Sequence, residues 1–218
     1  MLKRIHINQK IDGKVFFTSD LHGKHSKDFI LNPRGYKDVE EAYSHLFKSW
    51  NETVNPNDIV FNLGDWVVGA GTNSLTTAKE MIHGLNGKIY TLFGNHTAGV
   101  KQLYRDTLNK QYGFTDESVE VYPVNYENKF IFLGDYVEVI IDGQLCVLSH
   151  YAIGSWNEMG KGSLNLHGHS HGSYRNGLPT DLTAKQLDVG WDVFRKPIYF
   201  DEIKRIMQKK QCQKVDHH

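Results

Sequence analysis

The sequence predicts a layered α/β protein, and three observations support this fold class. Short apolar runs alternate with segments of helical periodicity through the first half of the chain, which is typical of parallel strands joined by helices. Each of the first three apolar runs ends in a short polar motif. From Lys129 onward, apolar runs are separated by turn residues, which indicates antiparallel strands.

The first half predicts three strand, loop and helix units in succession. The strands are predicted over 14–19, 58–63 and 88–93. The helices are predicted from residue 38 to the turn at 55–57, over 77–85 and over 100–112. Because the carboxyl ends of parallel strands meet at one edge of a sheet, we expect the polar motifs to gather there.

The remaining elements follow from turn residues and periodicity. Asp12-Gly13 predicts an opening hairpin, and Asp142-Gly143 predicts a tight turn between two of the antiparallel strands. Those strands are predicted over 129–133, 136–141 and 144–149, followed by a strand over 186–189 and a helix over about 201–211. Gly134-Asp135 falls between two of them, so we interpret it as a turn and exclude Asp135 as a metal ligand.

Composition limits the function classes. The 218 residues fit one domain over 1–218 with a short tail, and 25 basic residues balance 25 acidic ones. A formal charge of zero argues against a nucleic-acid or anionic-membrane partner. Two cysteines, no signal-peptide pattern and no long apolar run predict a soluble, cytoplasmic protein. The oligomeric state stays open.

Two histidines flanked by glycines, His169 and His171, are the first candidate metal ligands. On a strand they would share one face, and Gly168 and Gly172 would let the backbone approach an ion closely. Taken alone, the motif fits an exposed turn equally well.

Similar groups follow the other predicted strands, and together they suggest two ions. The candidate groups are Asp20, His22, Asp65, Asn95, His96, His150, His169 and His171. Eight imidazole, carboxylate and amide groups exceed the needs of one ion, and their chemistry suits Mn, Fe, Ni or Zn, with Mn favoured. The other histidines His6, His25, His45 and His83 are interpreted as surface residues, and His167 stays ambiguous.

Five separated motifs carry a resemblance to a known family. They are Asp20-x-His22, Gly64-Asp65, Gly94-Asn95-His96, the strand-end His150, and Gly168-His169-x-His171. In this order they resemble the calcineurin-like metallophosphoesterase superfamily. The stretch 187–192 is also similar to the closing segment of small bacterial and phage members. The resemblance implies an α/β/β/α sandwich of two mixed sheets flanked by helices.

The resemblance also implies a role for each candidate ligand. One ion would be held by Asp20, His22 and His171, the other by Asn95, His150 and His169, and Asp65 would bridge them. In such two-metal sites, a metal-bridging hydroxide attacks the phosphorus atom.

Substrate contacts are assigned by resemblance and by position. His96 would act as catalytic acid or charge stabiliser, and Asn95, His96 and Arg175 would contact substrate. The chain departs from the family pattern at Thr97, where a carboxylate is common, so the partner of His96 is open. The neighbouring loop residues Trp156, Asn157, Lys161 and Tyr174 are further candidates, although packing explains them almost as well.

The predicted function is hydrolysis of small phosphate esters, with phosphodiester or nucleotide-type substrates favoured because a leaving-group acid matters most for poor leaving groups. A phosphomonoesterase or protein phosphatase and a nuclease are the alternatives, because the metal pair is common to all of them. A non-catalytic scaffold is the least favoured alternative, since every expected ligand is present.

Overall fold

Two mixed β-sheets flanked by helices form the protein, seen here in a computed structural model that describes residues 4–69, 72–114, 116, 118–173 and 184–212. Elements are numbered along the chain. Sheet A contains, in spatial order, β1 (Ile5–Ile7), β7 (Tyr136–Ile141), β8 (Gln144–Ser149), β9 (Leu164–His167) and β10 (Gln186–Asp188). Sheet B contains, in spatial order, β11 (Ile198–Tyr199), β2 (Val15–Thr18), β3 (Ile59–Asn62), β4 (Lys88–Thr91), β6 (Phe130–Phe132) and β5 (Val124–Tyr126).

Seven α-helices are described, and a 3-10 turn lies at Met159–Lys161. They are α1 (Gln9–Asp12), α2 (Asp28–Arg34), α3 (Val39–Thr53), α4 (Thr72–Gly84), α5 (Ala98–Tyr112), α6 (Trp191–Phe194) and α7 (Phe200–Met207). Asp38 begins α3 by accepting a hydrogen bond from the backbone N–H of Glu41 at 2.8 Å. Gly113 ends α5 in a left-handed conformation with φ 72°.

The three predicted strand, loop and helix units are confirmed. β2, β3 and β4 are neighbouring parallel strands, and β6 extends them in parallel. Their carboxyl ends therefore lie along one edge of sheet B. The edge strands β11 and β5 are antiparallel to their neighbours, which makes the sheet mixed.

Alternating side chains of the sheet B strands reach two separate cores. Phe16 and Val60 pack with α3, α4 and α5 on the outer face. Phe17 and Phe61 point the other way and pack between the two sheets, where Ile203 of α7 joins them. Both faces of these strands are thus covered, which explains why their sequences are almost continuously apolar.

The two predicted tight turns have different outcomes. Asp142-Gly143 joins the antiparallel strands β7 and β8, and both residues have positive φ, 48° and 83°, so this hairpin is confirmed. The predicted hairpin at Asp12-Gly13 is wrong, because Asp12 ends α1 and the flanking strands β1 and β2 belong to different sheets.

The predicted pairing of the strand over 129–133 with the next strand is also wrong. β6 belongs to sheet B, whereas β7 belongs to sheet A. Gly134-Asp135 therefore connects the two sheets, and Asp135 is exposed. Apolar runs show that strands exist, but they do not state which strand each one pairs with.

Helix ends differ from the predictions by up to five residues. α4 begins at Thr72 rather than 77, and α7 ends at Met207 rather than near 211. Among the described residues, no helix combines the length and the apolar character needed to cross a bilayer.

Candidate metal centre

The predicted polar groups converge where the two sheets meet. Asp20, Asp65 and Asn95 follow β2, β3 and β4 of sheet B, and His150 follows β8 of sheet A. Backbone hydrogen bonds connect these loops directly. The N–H of Asp20 donates to Gly64 O at 3.1 Å, and the N–H of His22 donates to Asp65 O at 3.1 Å.

A first group of possible metal ligands consists of Asp20, His22 and His171. The Nε2 atoms of the two histidines are 3.3 Å apart, with their rings stacked. Asp20 Oδ1 lies 3.9 Å from His171 Nε2. The two Nε2 atoms and the Asp20 carboxylate oxygen therefore lie close together. A cation between them would bind their lone pairs, which repel one another when no cation is present.

A second group is centred on Asn95. Its Oδ1 atom lies 2.9 Å from His150 Nε2 and 2.9 Å from His169 Nδ1. Asp65 lies between the two groups, because its Oδ2 atom is 3.7 Å from His22 Nε2 and 3.6 Å from His150 Nε2. One carboxylate could therefore contact a cation in either group.

The two histidines of the 168–172 motif do not share a strand face. β9 ends at His167, and His169 and His171 follow it with positive φ of 67° and 48°. Their rings consequently reach different groups, His171 beside His22 and His169 beside Asn95. The prediction based on strand alternation was wrong about the backbone.

Several candidate ligands have a strained backbone. Asp20, His22 and Asp65 also have positive φ, of 56°, 50° and 53°. A left-handed backbone costs non-glycine residues roughly 1–3 kcal/mol each and clusters at functional sites. We interpret these residues as held in unfavourable conformations by their surroundings.

Burial and charge in the centre fit divalent cations. Asp20 and Asp65 are 0% and 1% exposed, and burial raises the pKa of the Asp20 carboxyl to about 7. Burial also strongly lowers the pKa of His22, which keeps its imidazole neutral. Buried carboxylates beside neutral imidazoles are a donor set that a divalent cation would stabilise.

His150 is oriented by the backbone of a neighbouring strand end. Its Nδ1 lies 2.9 Å from Leu63 O, and since a carbonyl can only accept, Nδ1 carries the proton. Nε2 is then free to bind a metal on the Asn95 side.

Two glycines allow the loops to approach closely. A Cβ at Gly168 would lie 2.0 Å from Ser19 Oγ and 2.5 Å from Asp20 Oδ2. A Cβ at Gly94 would lie 2.2 Å from Asp65 Oδ1. Any larger residue would therefore displace a candidate ligand.

His96 lies beside both groups without belonging to either. Its ring is exposed and its centroid is 5.4 Å from that of His22. Its backbone N–H donates to Asp65 Oδ1 at 2.8 Å. No carboxylate pairs with its ring in the described part of the chain, and Thr97 is a buried residue that precedes α5.

The remaining histidines are distributed between surface and site. His83 and His45 have exposed or half-exposed partners in Glu127 and Tyr36. His25 differs from the prediction, because it is half-buried with its ring centroid 5.9 Å from that of His22. His167 is buried with Nδ1 2.9 Å from Gly168 O, outside both groups.

The predicted substrate loop is largely occupied by structural contacts. Trp156 is buried and donates from Nε1 to Ser163 O at 3.2 Å. Asn157 donates to Glu138, and Lys161 is exposed. Arg175 and Tyr174 lie outside the described residues.

Several residues at the centre were missed by sequence reasoning. They are Arg34, Tyr151, Asp188 and Asp192. Tyr151 is 50% exposed, and its ring centroid is 4.6 Å from that of His169. Asp188 and Asp192 fall within the 187–192 stretch, so that weak resemblance was the available signal. Arg34 had none.

Comparisons with known proteins place the chain in a family. The family model for calcineurin-like phosphoesterases matches residues 13–203. An uncharacterised protein of Methanocaldococcus jannaschii is 26% identical over 90% of this chain and 92% of its own. The gene 66 protein of Mycobacterium phage D29 is 27% identical over 88% of this chain and 95% of its own.

A solved structure supports the fold. The crystal structure of a protein of unknown function from Aquifex aeolicus superposes with a TM-score of 0.60 at 19% identity, covering 88% of this chain and 98% of that one. The family match extends over most of the chain and includes every one of the converging polar groups. The chain therefore belongs to the calcineurin-like phosphoesterase family.

Proposed function

We propose that this protein is a two-metal phosphoesterase that hydrolyses phosphodiesters or nucleotide-type phosphate esters of modest size. The observation that supports this most is the position of Asp65, whose Oδ2 atom lies 3.7 Å from His22 Nε2 and 3.6 Å from His150 Nε2. A buried carboxylate between two sets of imidazole ligands suits a pair of ions better than a single one.

Each ion would have its own ligands. Asp20, His22 and His171 would hold one, Asn95, His150 and His169 the other, and Asp65 would be common to both. When bound, Mn²⁺ or a similar cation would supply Lewis acidity toward a phosphoryl oxygen and a water of lowered pKa.

The charge of this ligand set favours an anionic substrate. Asp20 and Asp65 are its two carboxylates, and Asn95 contributes a neutral amide oxygen. With neutral imidazoles, two divalent cations would leave a net positive charge of about two. That charge would attract a phosphate group and stabilise the extra negative charge of its transition state.

His96 would serve the leaving group. Its ring is exposed, while its backbone is fixed by the hydrogen bond to Asp65. An imidazole in this position could donate a proton to the departing alkoxide. This contribution matters most for diesters of poor leaving groups, which is why they are favoured.

Tyr151 forms an exposed aromatic surface beside the second ligand group. Its ring lies against those of His150 and His169, with centroids 5.0 and 4.6 Å away. A planar substituent such as a nucleobase could stack there. This feature supports a substrate larger than inorganic pyrophosphate or a simple alkyl phosphate.

The test is a comparison of two ester classes. We expect the Mn²⁺-loaded protein to hydrolyse bis-p-nitrophenyl phosphate faster than p-nitrophenyl phosphate, measured as kcat/KM for each. Turnover of the monoester alone would contradict the diester preference and favour the phosphomonoesterase alternative. Turnover of neither ester, nor of nucleotide diesters, would contradict the proposed function.

A further inference from the structure

We propose that Arg34 and Asp192 are positioning residues that hold only one of the two metal positions, the one formed by Asp20, His22 and His171. This inference rests on the proposed two-metal function. Neither residue has an atom in the candidate ligand groups, and both act through hydrogen bonds to residues that do.

Asp192 fixes the ring of His171. Its Oδ2 atom lies 2.6 Å from His171 Nδ1. An ionised carboxylate can only accept, so Nδ1 carries the proton and Nε2 presents its lone pair toward His22 Nε2, 3.3 Å away. Such an outer carboxylate sets both the tautomer and the orientation of a metal-binding imidazole.

Arg34 connects this carboxylate to the opposite side of the same metal position. Its guanidinium donates to both oxygens of Asp192, from Nε at 2.8 Å and from Nη2 at 2.7 Å. The same group donates to Asp20 O at 2.8 Å and to Leu21 O at 3.0 Å. Its side chain is 5% exposed, so these bonds are made away from water.

Arg34 and Asp192 together thus join the two chain segments that supply the first metal position. The 20–22 segment follows β2 of sheet B, whereas His171 follows β9 of sheet A. Both segments have a left-handed backbone at their ligands. Without the bridge, Asp20 and His171 would have to be held together across the two sheets by the remaining contacts alone.

The second metal position has separate supports. His150 is oriented by Leu63 O at 2.9 Å. Among the described residues, no hydrogen bond or ion pair joins Asn95, His150 or His169 to Arg34 or Asp192. The loop that carries both His169 and His171 is held by Asp188, whose Oδ2 accepts from Ser170 Oγ at 2.6 Å and from Gly172 N at 2.9 Å. Changing Asp192 therefore leaves that loop anchored.

Two variants and one control test the assignment. Asp192→Asn keeps the shape of the side chain but places an amide N–H₂ against a donor, and Arg34→Lys keeps the charge but loses the planar fork. Arg195→Gln is the matched control, because Arg195 forms only an ion pair with Asp192 Oδ1, at 3.8 Å, and donates its hydrogen bond to Pro33 O. Stepwise Mn²⁺ dissociation constants come from equilibrium dialysis with elemental analysis, and metal-free thermal unfolding checks the fold.

We expect both variants to raise one of the two Mn²⁺ dissociation constants by about 10–100-fold. The other constant should stay within about twofold of the wild-type value. The control Arg195→Gln should keep both dissociation constants at their wild-type values. Equal weakening of both positions, no weakening, or the same loss in Arg195→Gln would contradict the positioning role. If one variant does not unfold cooperatively without metal, its fold is disturbed, and the Mn²⁺ dissociation constants of the other variant test the positioning role. A wild-type chain that binds fewer than two ions would contradict the proposed function itself.

Discussion

At the residue scale, Asp65 combines three roles that depend on its burial. Its Oδ2 atom faces both ligand groups, while Oδ1 accepts the backbone N–H of His96 at 2.8 Å. The backbone of Asp65 is left-handed, with φ 53°. A single side chain thereby fixes the distance between the proposed metal positions and the position of the proposed acid.

Replacing His96 tests its role as leaving-group acid. We expect His96→Ala to retain two bound Mn²⁺ ions per chain and to lower kcat by about 10²–10⁴-fold for a diester with an alkyl leaving group. The loss should be smaller for p-nitrophenolate, because that leaving group needs little protonation. Steady-state kinetics across a series of leaving groups measures the difference.

The matched control is His83→Ala at the carboxyl end of α4, where the exposed ring pairs with Glu127 at 2.8 Å. This variant should retain full activity. An equal loss for good and poor leaving groups in His96→Ala would contradict proton donation and indicate charge stabilisation instead.

At the element scale, the centre is built from strand ends that turn sharply. β2, β3, β8 and β9 each stop one to three residues before a candidate ligand. The turn after β9 brings the backbone of Gly168 against Ser19 and Asp20. The N–H of His169 then donates to the Asp20 carboxylate, 2.9 Å from Oδ2.

Adding one methyl group tests this close approach. We expect Gly168→Ala to lower the free energy of unfolding by about 1–3 kcal/mol, because its Cβ would lie 2.0 Å from Ser19 Oγ. Metal-free urea denaturation measures the change. Gly154→Ala is the control, since its Cβ would meet no atom within 4 Å. Equal stability of the two variants would show that the loops have room to separate.

Sequence patterns predicted elements better than they predicted pairing. The bounds of β7 and β8 agree residue for residue with the expectation, because alternation and a tight turn are local signals. The partner of β6 was not predictable in this way, since either sheet could bury Phe130–Phe132. The backbone conformation after β9 was equally unpredictable from the sequence, because positive φ at His169 and His171 is imposed by neighbouring loops.

At the scale of the whole molecule, the proposed metal positions join the two sheets. Sheet B supplies Asp20, His22, Asp65 and Asn95, and sheet A supplies His150, His169 and His171. Ions bound there would stabilise the folded state, because the ligands converge only when the sheets are packed together.

Metal binding should therefore raise the melting temperature. At a free Mn²⁺ concentration about 100 times the dissociation constant, one ion contributes about 2.7 kcal/mol, which corresponds to an increase of about 5–10 °C for a chain of this length. Differential scanning calorimetry with and without EDTA measures the shift. Asp65→Asn should show little or none, and an unchanged wild-type melting temperature would contradict the placement of the ions between the sheets.

The sequence by itself determined the type of fold, the strand ends and the identity of the converging groups. Apolar periodicity and short motifs are local signals, since each depends only on residues that are close together in the chain. The tertiary structure alone decided the distances between these groups and the left-handed backbone by which His169 and His171 reach the different groups that the resemblance implied. It also decided that Arg34 reaches Asp192 across 158 positions of the chain. These relations depend on the packing of one sheet against the other, and a contact between distant segments leaves no pattern in either segment.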